Sequence, residues 1–217
     1  MTKKDGQEKD RKSLLVGVAL AIFAASASYL FGVIDDHRKK KIDFVDQQIE
    51  NLYGPLYALS TAAASAHREL LSPISAKINH ADAGALSKPQ VDAWRHTMKT
   101  VLQPMNVRMA NAIVSNSQLI EGGAIYPVFD RFILHVEAYR ATIAKWKDAD
   151  AESGESYLDR SANGSKVAFP DAFDVCVRKM YDALLQRRND LRASWLALEW
   201  TPHSVTIADE CQGKTGA

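Results

Sequence analysis

The histidine and acidic residues of this chain are the side chains best suited to metal binding, yet their spacing predicts no metal site. The six histidines are His37, His67, His80, His96, His135 and His203. Metal sites in helical bundles use paired Glu-x-x-His motifs on facing helices, and the sequence contains none. Asp92 and His96 are four residues apart, but His135 and Glu137 are two apart and fall on different faces of a helix. We therefore predict no metal and no other cofactor.

The two cysteines, Cys176 and Cys211, have no short spacing between them, so they form neither a zinc knuckle nor a disulfide framework. Cys176 stands between two valines, and its surroundings predict a small buried apolar residue rather than a nucleophile. Pairing with Cys211 would require the C-terminal segment to fold back, and it is the less favoured alternative. The pair Gly122–Gly123 is too short for a phosphate-binding loop. The sequence thus predicts a protein that is not an enzyme.

Composition places the chain among ordinary globular proteins. It has 217 residues, of which 47% are apolar and 24% charged, and a net charge of +1. That length allows one domain plus an anchor and tails. A charge so near zero gives no field that would attract nucleic acid, so we predict no nucleic-acid partner.

An uncharged stretch from Ser13 to Ile34 predicts a transmembrane helix. It contains 22 residues, lies between Lys12 and Asp35, and as a helix would rise roughly 33 Å, which is enough to cross the hydrocarbon core. A cleaved signal peptide is the alternative, because Ala25-Ser26-Ala27 has the small-x-small form of a cleavage site. The apolar run continues past that site to Ile34, which favours an uncleaved anchor.

Basic residues flank this stretch on both sides and nearly balance. The upstream set is Lys3, Lys4, Lys9, Arg11 and Lys12, and the downstream set is Arg38, Lys39, Lys40 and Lys41. The downstream set is tighter and nearer the bilayer, where each charge contributes about 1 kcal/mol of attraction to anionic lipid. By the positive-inside rule we expect a single-pass membrane protein with a cytoplasmic domain. Another basic pair, Arg187–Arg188, is expected on a solvated helix face near Asp190.

Four apolar stripes with alternating steps of three and four residues predict four helices. The first stripe is Ile42, Val45, Ile49, Leu52, Leu56 and Leu59. The second is Val91, Trp94, Met98, Val101, Met105, Met109 and Ala112. The third is Phe129, Phe132, Val136, Tyr139, Ile143 and Trp146. The fourth is Phe173, Val177, Met180 and Leu184, then Leu191, Trp195 and Leu198, with the polar Arg187 or Arg188 in the gap. We predict an all-α fold in which the transmembrane helix continues into an antiparallel four-helix bundle.

The predicted organisation is a basic tail at 1–12, a transmembrane helix at 13–34, a helical bundle at 35–200 and a flexible tail at 201–217. Loops are expected from Pro73 to Leu86 and from Asp148 to Phe169, where glycine, proline and small polar residues gather. Asp35 to Lys41 contains neither glycine nor proline. The anchor and the first bundle helix are therefore expected to form one rod, with its first break at Gly54–Pro55.

Two prolines interrupt the apolar stripes and mark the only candidate site. A proline inside a helix removes one hydrogen bond and kinks the axis, at a cost of roughly 3 kcal/mol. A tolerated kink is the plainer interpretation; a hinge or a ligand notch lined by freed carbonyls is the functional one. The candidate ligand or hinge residues are Tyr53, Gly54, Pro55, Tyr57, Pro104 and Asn106.

The same residues carry a resemblance. The run Tyr53-Gly-Pro-Leu-Tyr57 follows the apolar stretch, and Pro104-Met-Asn106, His135 and Phe169-Pro170 follow in turn. This order resembles an uncharacterised family of small bacterial single-pass membrane proteins, over roughly residues 35 to 198. The resemblance implies a bacterial inner-membrane protein and a cytosolic domain, and it implies no catalytic residue.

The sequence supports a membrane-anchored helical interaction or scaffold protein, whose partners are the lipid bilayer and either another protein or a second copy. The first alternative is a membrane-permeabilising or sensing effector of a bacterial stress or phage-defence system, in which small residues let anchor helices approach closely. Those residues are Gly17, Ala21, Ala24, Ala25 and Ser28. The second alternative is a ligand-sensing bundle built around the two prolines.

Overall fold

Every regular element that the structure describes is helical. The computed structural model describes residues 3–72, 74, 87–149, 167–193 and 207–212, and no strand occurs among them. The α-helices are α1 (Lys3–Gln47), α2 (Gly54–Ala66), α3 (Lys88–Thr97), α4 (Gln103–Ser115), α5 (Pro127–Ala149) and α6 (Phe173–Ala193). Three π-helical segments adjoin them: π1 (Gln48–Tyr53), π2 (His67–Leu71) and π3 (Met98–Leu102). Short 3₁₀ turns cover Ser117–Leu119 and Asp209–Gln212. The all-α prediction is confirmed.

The first helix is one uninterrupted α-helix from Lys3 to Gln47. It contains the whole apolar stretch and continues beyond it, so the predicted continuity between that stretch and the domain is confirmed. The first departure from α geometry is π1, which ends directly before Gly54 and Pro55. Among the described residues, no helix has the length together with the apolar character that crossing a bilayer would require.

Local sequence signals explain where the other helices begin. Gln90 Oε1 accepts a hydrogen bond from the Ser87 backbone N–H at 3.0 Å, and Pro89 stands in the first turn of α3. This is the capping arrangement that the order Ser-Lys-Pro-Gln favours. Gly122 and Gly123 take positive φ angles of 83° and 72°, which turn the chain before α5 begins at Pro127.

The apolar faces of these helices meet in a main core. Its fully buried side chains include the aromatic residues Tyr53, Phe129, Phe132 and Phe173. The rings of Phe132 and Phe173 stack with centroids 4.0 Å apart. A second cluster joins the end of π2 to α3, π3 and α5; it consists of Leu71, Val91, Trp94, Met98, Leu102, Tyr139 and Trp146. The third predicted stripe therefore lies along the core, with Ile143 partly buried beside the second cluster.

The second predicted stripe is wrong at Val101 and Met105, although Met109 is buried as predicted, and π3 is the reason for the error. We expected Val101 and Met105 to face the core, but Leu102 and Asn106 are the buried residues. A π-helical turn contains one residue more than an α-helical turn, so it shifts the inward face by one position. An alternation of threes and fours that assumes pure α-helix cannot anticipate this shift.

Part of the segment expected to be a flexible tail packs against the core. Residues 207–212 end in a 3₁₀ turn, and Cys211 is fully buried and disulfide-bonded to Cys176. The favoured expectation of two unpaired thiols is therefore wrong. Of the predicted loops Pro73–Leu86 and Asp148–Phe169, residues 75–86 and 150–166 lie outside the described residues, and so do the stripe residues Trp195 and Leu198. Residues 148–149 belong to α5 rather than to a loop.

Candidate functional site

The junction between π1 and α2 holds four of the six predicted candidate residues. The Gly54 backbone N–H donates to the carbonyl of Ile49, five residues earlier, as a π-helical turn requires. A Cβ atom at Gly54 would lie 2.5 Å from that carbonyl oxygen, which is closer than a real Cβ tolerates. Glycine is therefore needed at this position because of the backbone approach within the turn itself.

Pro55 leaves a backbone carbonyl without its usual helical donor, and a distant side chain replaces that donor. The N–H that proline lacks would bond the carbonyl four residues earlier, which belongs to Asn51. The Asn116 side-chain amide Nδ2 donates to that carbonyl at 3.1 Å and to the carbonyl of Ala112 at 3.0 Å. Asn116 follows α4, so this one side chain ties the end of α4 to π1.

A polar cluster lies beside this junction, and we call Gln48, Glu121, Tyr126 and Arg187 the Glu121 cluster. The Gln48 side chain is fully buried, and its Nε2 donates to the Leu119 carbonyl at 2.8 Å and to Glu121 Oε2 at 3.2 Å. Arg187 forms an ion pair with Glu121 at 3.3 Å, and the Tyr126 hydroxyl donates to the Glu121 carbonyl at 3.2 Å. Burial raises the pKa of Tyr126 above its ordinary value.

The predicted solvated face for Arg187 and Arg188 is wrong. Arg187 is largely buried against Glu121, and Arg188 lies 3.7 Å from Asp46 of α1. Arg192 also contacts Asp46, at 2.9 Å. These cations join α6 to α1 and to the turn before α5, rather than forming a free basic surface.

A polar cleft of about 220 Å³ opens between α2, π2 and α6. Its lining residues are Tyr57, Ser60, Thr61, Ala64, Ser65, Arg68, Asp174 and Arg178. The Tyr57 ring stacks on Tyr181 with centroids 4.9 Å apart, which fixes one wall. Burial raises the pKa of Asp174, and the neighbouring Arg178 partly opposes that shift. Hydroxyl, guanidinium and carboxyl groups therefore face one small volume.

Only one of the predicted candidate residues lines the cleft. Tyr57 lines it, whereas the Tyr53 ring is buried in the main core, 6.5 Å from Phe129. Pro104 is exposed and Asn106 is buried on α4, which packs against α2. Sequence reasoning missed the polar lining. The signal was available, because Tyr57, Thr61, Ser65 and Arg68 follow helical spacing along one face.

His135 of α5 occupies an aromatic setting. Its Nδ1 lies 2.7 Å from the carbonyl of Val167, a hydrogen bond in which the ring nitrogen donates. The rings of Tyr139 and Phe169 stand edge-on to it, with centroids 5.3 and 5.4 Å away. Burial lowers the pKa of His135, so the neutral ring is favoured. This arrangement fastens the segment before α6 onto α5.

Within the described part of the chain, no group of three histidine, cysteine or acidic side chains is placed to hold a metal ion. Comparisons with protein-family models, with curated proteins and with solved structures found no match. The resemblance of the run Tyr53–Tyr57 to a family of bacterial membrane proteins therefore stays a prediction.

Proposed function

We propose that this protein is a membrane-anchored helical interaction protein that works without catalytic chemistry. The observation that carries the proposal is the exposed apolar surface of α1. Large apolar side chains on this helix are exposed to solvent at Val18, Leu20, Ile22, Phe23, Tyr29, Leu30, Phe31, Val33 and Ile34. So large a contiguous apolar surface is unfavourable in water and typical of a segment that contacts lipid or protein. The sequence supports lipid, because the uncharged run is 22 residues long.

The continuity of α1 supports a mechanical role for the anchor. The same helix passes from the apolar run to Val45 in the main core, without a flexible joint between them. We propose that the helices behind the anchor form an antiparallel bundle, and that its surface binds a protein partner or a second copy. Arg38, Lys39, Lys40 and Lys41 follow the apolar run after three intervening residues, at the level of lipid headgroups.

The test of this proposal is membrane fractionation followed by crosslinking. The full chain should stay in the membrane pellet after an alkaline carbonate wash and leave it only with detergent. A photo-crosslinking residue at the exposed Leu134 or Val114 should then yield one discrete adduct with a partner or with a second copy. A carbonate-soluble protein, or one that forms no discrete adduct from any exposed apolar position, would refute the proposal.

The cleft favours a second candidate function, the binding of a small polar ligand. Tyr57 connects it to the π1–α2 junction, since Tyr57 lies only two residues after Pro55. A ligand bound there would contact α2 and α6 together. Because α6 packs against α1, occupancy would be coupled to the helix that carries the anchor. Differential scanning fluorimetry against a panel of small anions and zwitterions tests this idea. Arg68→Gln and Arg178→Gln should abolish any stabilisation seen, while Arg140→Gln, on the exposed face of α5, should retain it.

A further inference from the structure

The disulfide between Cys176 and Cys211 bears on which side of the membrane the domain occupies. Cys176 lies in α6 and Cys211 in the 3₁₀ turn Asp209–Gln212, and their Cα atoms are 5.0 Å apart. Both side chains are fully buried. They are the only cysteines in the sequence, so no third thiol competes for the bond.

The segment that carries Cys211, residues 207–212, is held in place by non-covalent contacts as well. Lys179 Nζ of α6 lies 2.6 Å from Glu210 Oε1. Ile207 Cδ1 lies 3.5 Å from the place that a Cβ on Gly122 would take, next to the Glu121 cluster. These contacts bring the segment over α6 and the turn before α5, and so place the two sulfur atoms together. We call residues 207–212 the strap.

Disulfides form and persist in oxidising compartments and are rare in the reducing bacterial cytosol. We propose that the helical domain lies on the oxidising side of the membrane, which for a bacterial inner membrane is the periplasm, and that the strap is covalently closed there. This inference rests on the proposed anchor and replaces the cytoplasmic side that the flanking charges favoured.

The charges beside the apolar run oppose this side only weakly. Asp35 accepts from Arg38 at 2.9 Å and from Lys39 at 2.7 Å, and Asp36 pairs with Lys40 at 2.8 Å. Three cations of the downstream set are therefore engaged with acids one helical turn away. The upstream set still holds five basic residues. Two nearly equal sets specify orientation weakly, and a buried disulfide is the stronger indication.

Closing the strap forms a disulfide, which is an oxidation and requires an oxidant. A protein or small molecule that carries a reactive disulfide is the oxidant. One cysteine, as a thiolate, attacks that disulfide and forms a mixed disulfide; the second thiolate then displaces the oxidant. The chain loses two electrons and two protons in total, and the oxidant leaves as a dithiol. No other co-reactant is required.

The first experiment measures whether the two cysteines of the full chain are oxidised or reduced in cells. Cells are quenched in acid, denatured and alkylated with a maleimide-coupled polymer, with and without prior reduction. We expect no adduct before reduction and two after it. Two adducts without reduction would overturn the proposal. Cys211→Ser calibrates the gel, because it should give one adduct whether or not the sample is reduced.

The second experiment reads sidedness directly, with reporters fused after Ala217. Alkaline phosphatase, which is active only outside the cytosol, should be active, and a fluorescent protein that matures only in the cytosol should be dark. The reverse pattern would overturn the proposal. A carbonate wash of the same cells distinguishes failure of the proposed membrane anchor from failure of the proposed periplasmic location. A chain that is found in the wash with its disulfide closed would reject only the anchor. A chain that stays in the pellet with both thiols reduced would reject only the periplasmic location.

Discussion

At Gly54 the neighbouring backbone leaves no room for a side chain. In an ordinary exposed helix, glycine to alanine stabilises by about 0.5–1 kcal/mol. Here Gly54→Ala places a Cβ 2.5 Å from the Ile49 carbonyl oxygen, so the π-helical turn must open. We expect a loss of about 1–3 kcal/mol in the free energy of unfolding, measured by urea denaturation. Gly32→Ala is the matched control, because nothing lies within 4 Å of its Cβ position and the midpoint should not fall.

Asn116 should be coupled energetically to Pro55. Asn116→Ala removes the donor to the Asn51 carbonyl and should cost about 1 kcal/mol. In a Pro55→Ala background, residue 55 regains an N–H one turn from that carbonyl, so the same change should cost less. A double-mutant cycle measures the coupling, which we expect at about 0.5–1 kcal/mol. Equal costs in both backgrounds would mean that Asn116 acts only through Ala112.

His135 gives the stability of the domain a pH dependence. Burial lowers its pKa in the folded state below the ordinary value of 6.5. Below pH 6.5 the unfolded chain takes up a proton that the folded chain refuses, so this histidine makes stability fall as pH drops from 7 to 5. His135→Gln should flatten that fall. The raised pKa of Asp174 acts in the opposite direction on the stability. Asp174 is present in both the unchanged protein and the His135→Gln variant, so subtracting one stability profile from the other cancels its effect.

At the scale of elements, apolar periodicity predicted the helices well, and it predicted less well which of their residues face the core. The stripe of α5 was correct because α5 is α-helical throughout. The stripe across π3 failed because its extra residue shifts the inward face from Val101 to Leu102. The prolines were the visible clue. Pro55 and Pro104 each stand two residues after a π-helical segment, so a proline within a stripe can indicate a wide turn as well as a kink.

Contacts between elements that are distant in sequence were beyond prediction. The pairing of Glu121 with Arg187 joins residues 66 apart, and the disulfide joins residues 35 apart. Neither pairing has a local signature, since each depends on how whole helices dock. The cleft was predictable only in part. Its α2 wall has helical spacing that the sequence shows, whereas Asp174 and Arg178 come from α6 and have no such local signal.

The ion pair of the Glu121 cluster should behave as a unit. Its side chains are 20% and 15% exposed, so removing one partner leaves a poorly solvated charge. We expect Glu121→Met alone to cost about 3–5 kcal/mol in unfolding free energy. Adding Arg187→Met should recover most of that loss, since an apolar pair of similar volume needs no counter-charge. Additive costs in urea denaturation would show that the pair is not coupled.

For the whole molecule, the decisive property is the apolar surface of α1. Phe23 is 74% exposed, which is unfavourable in water and ordinary in lipid. Phe23→Arg puts a charge near the middle of the run, where insertion into a bilayer costs about 2.5–3.5 kcal/mol per charged residue. With Leu30→Arg added, most of the protein should move from the carbonate-washed pellet to the supernatant.

Asp36→Arg is the matched control for those substitutions, because it adds an arginine just outside the run and should leave the protein in the pellet. The thiol state gives a second readout in the same samples. If the anchor also directs export, the double-arginine variant should stay in the reducing cytosol, and both cysteines should react with maleimide without reduction. A supernatant protein whose disulfide is still closed would mean that the domain reaches an oxidising compartment without a membrane-embedded α1.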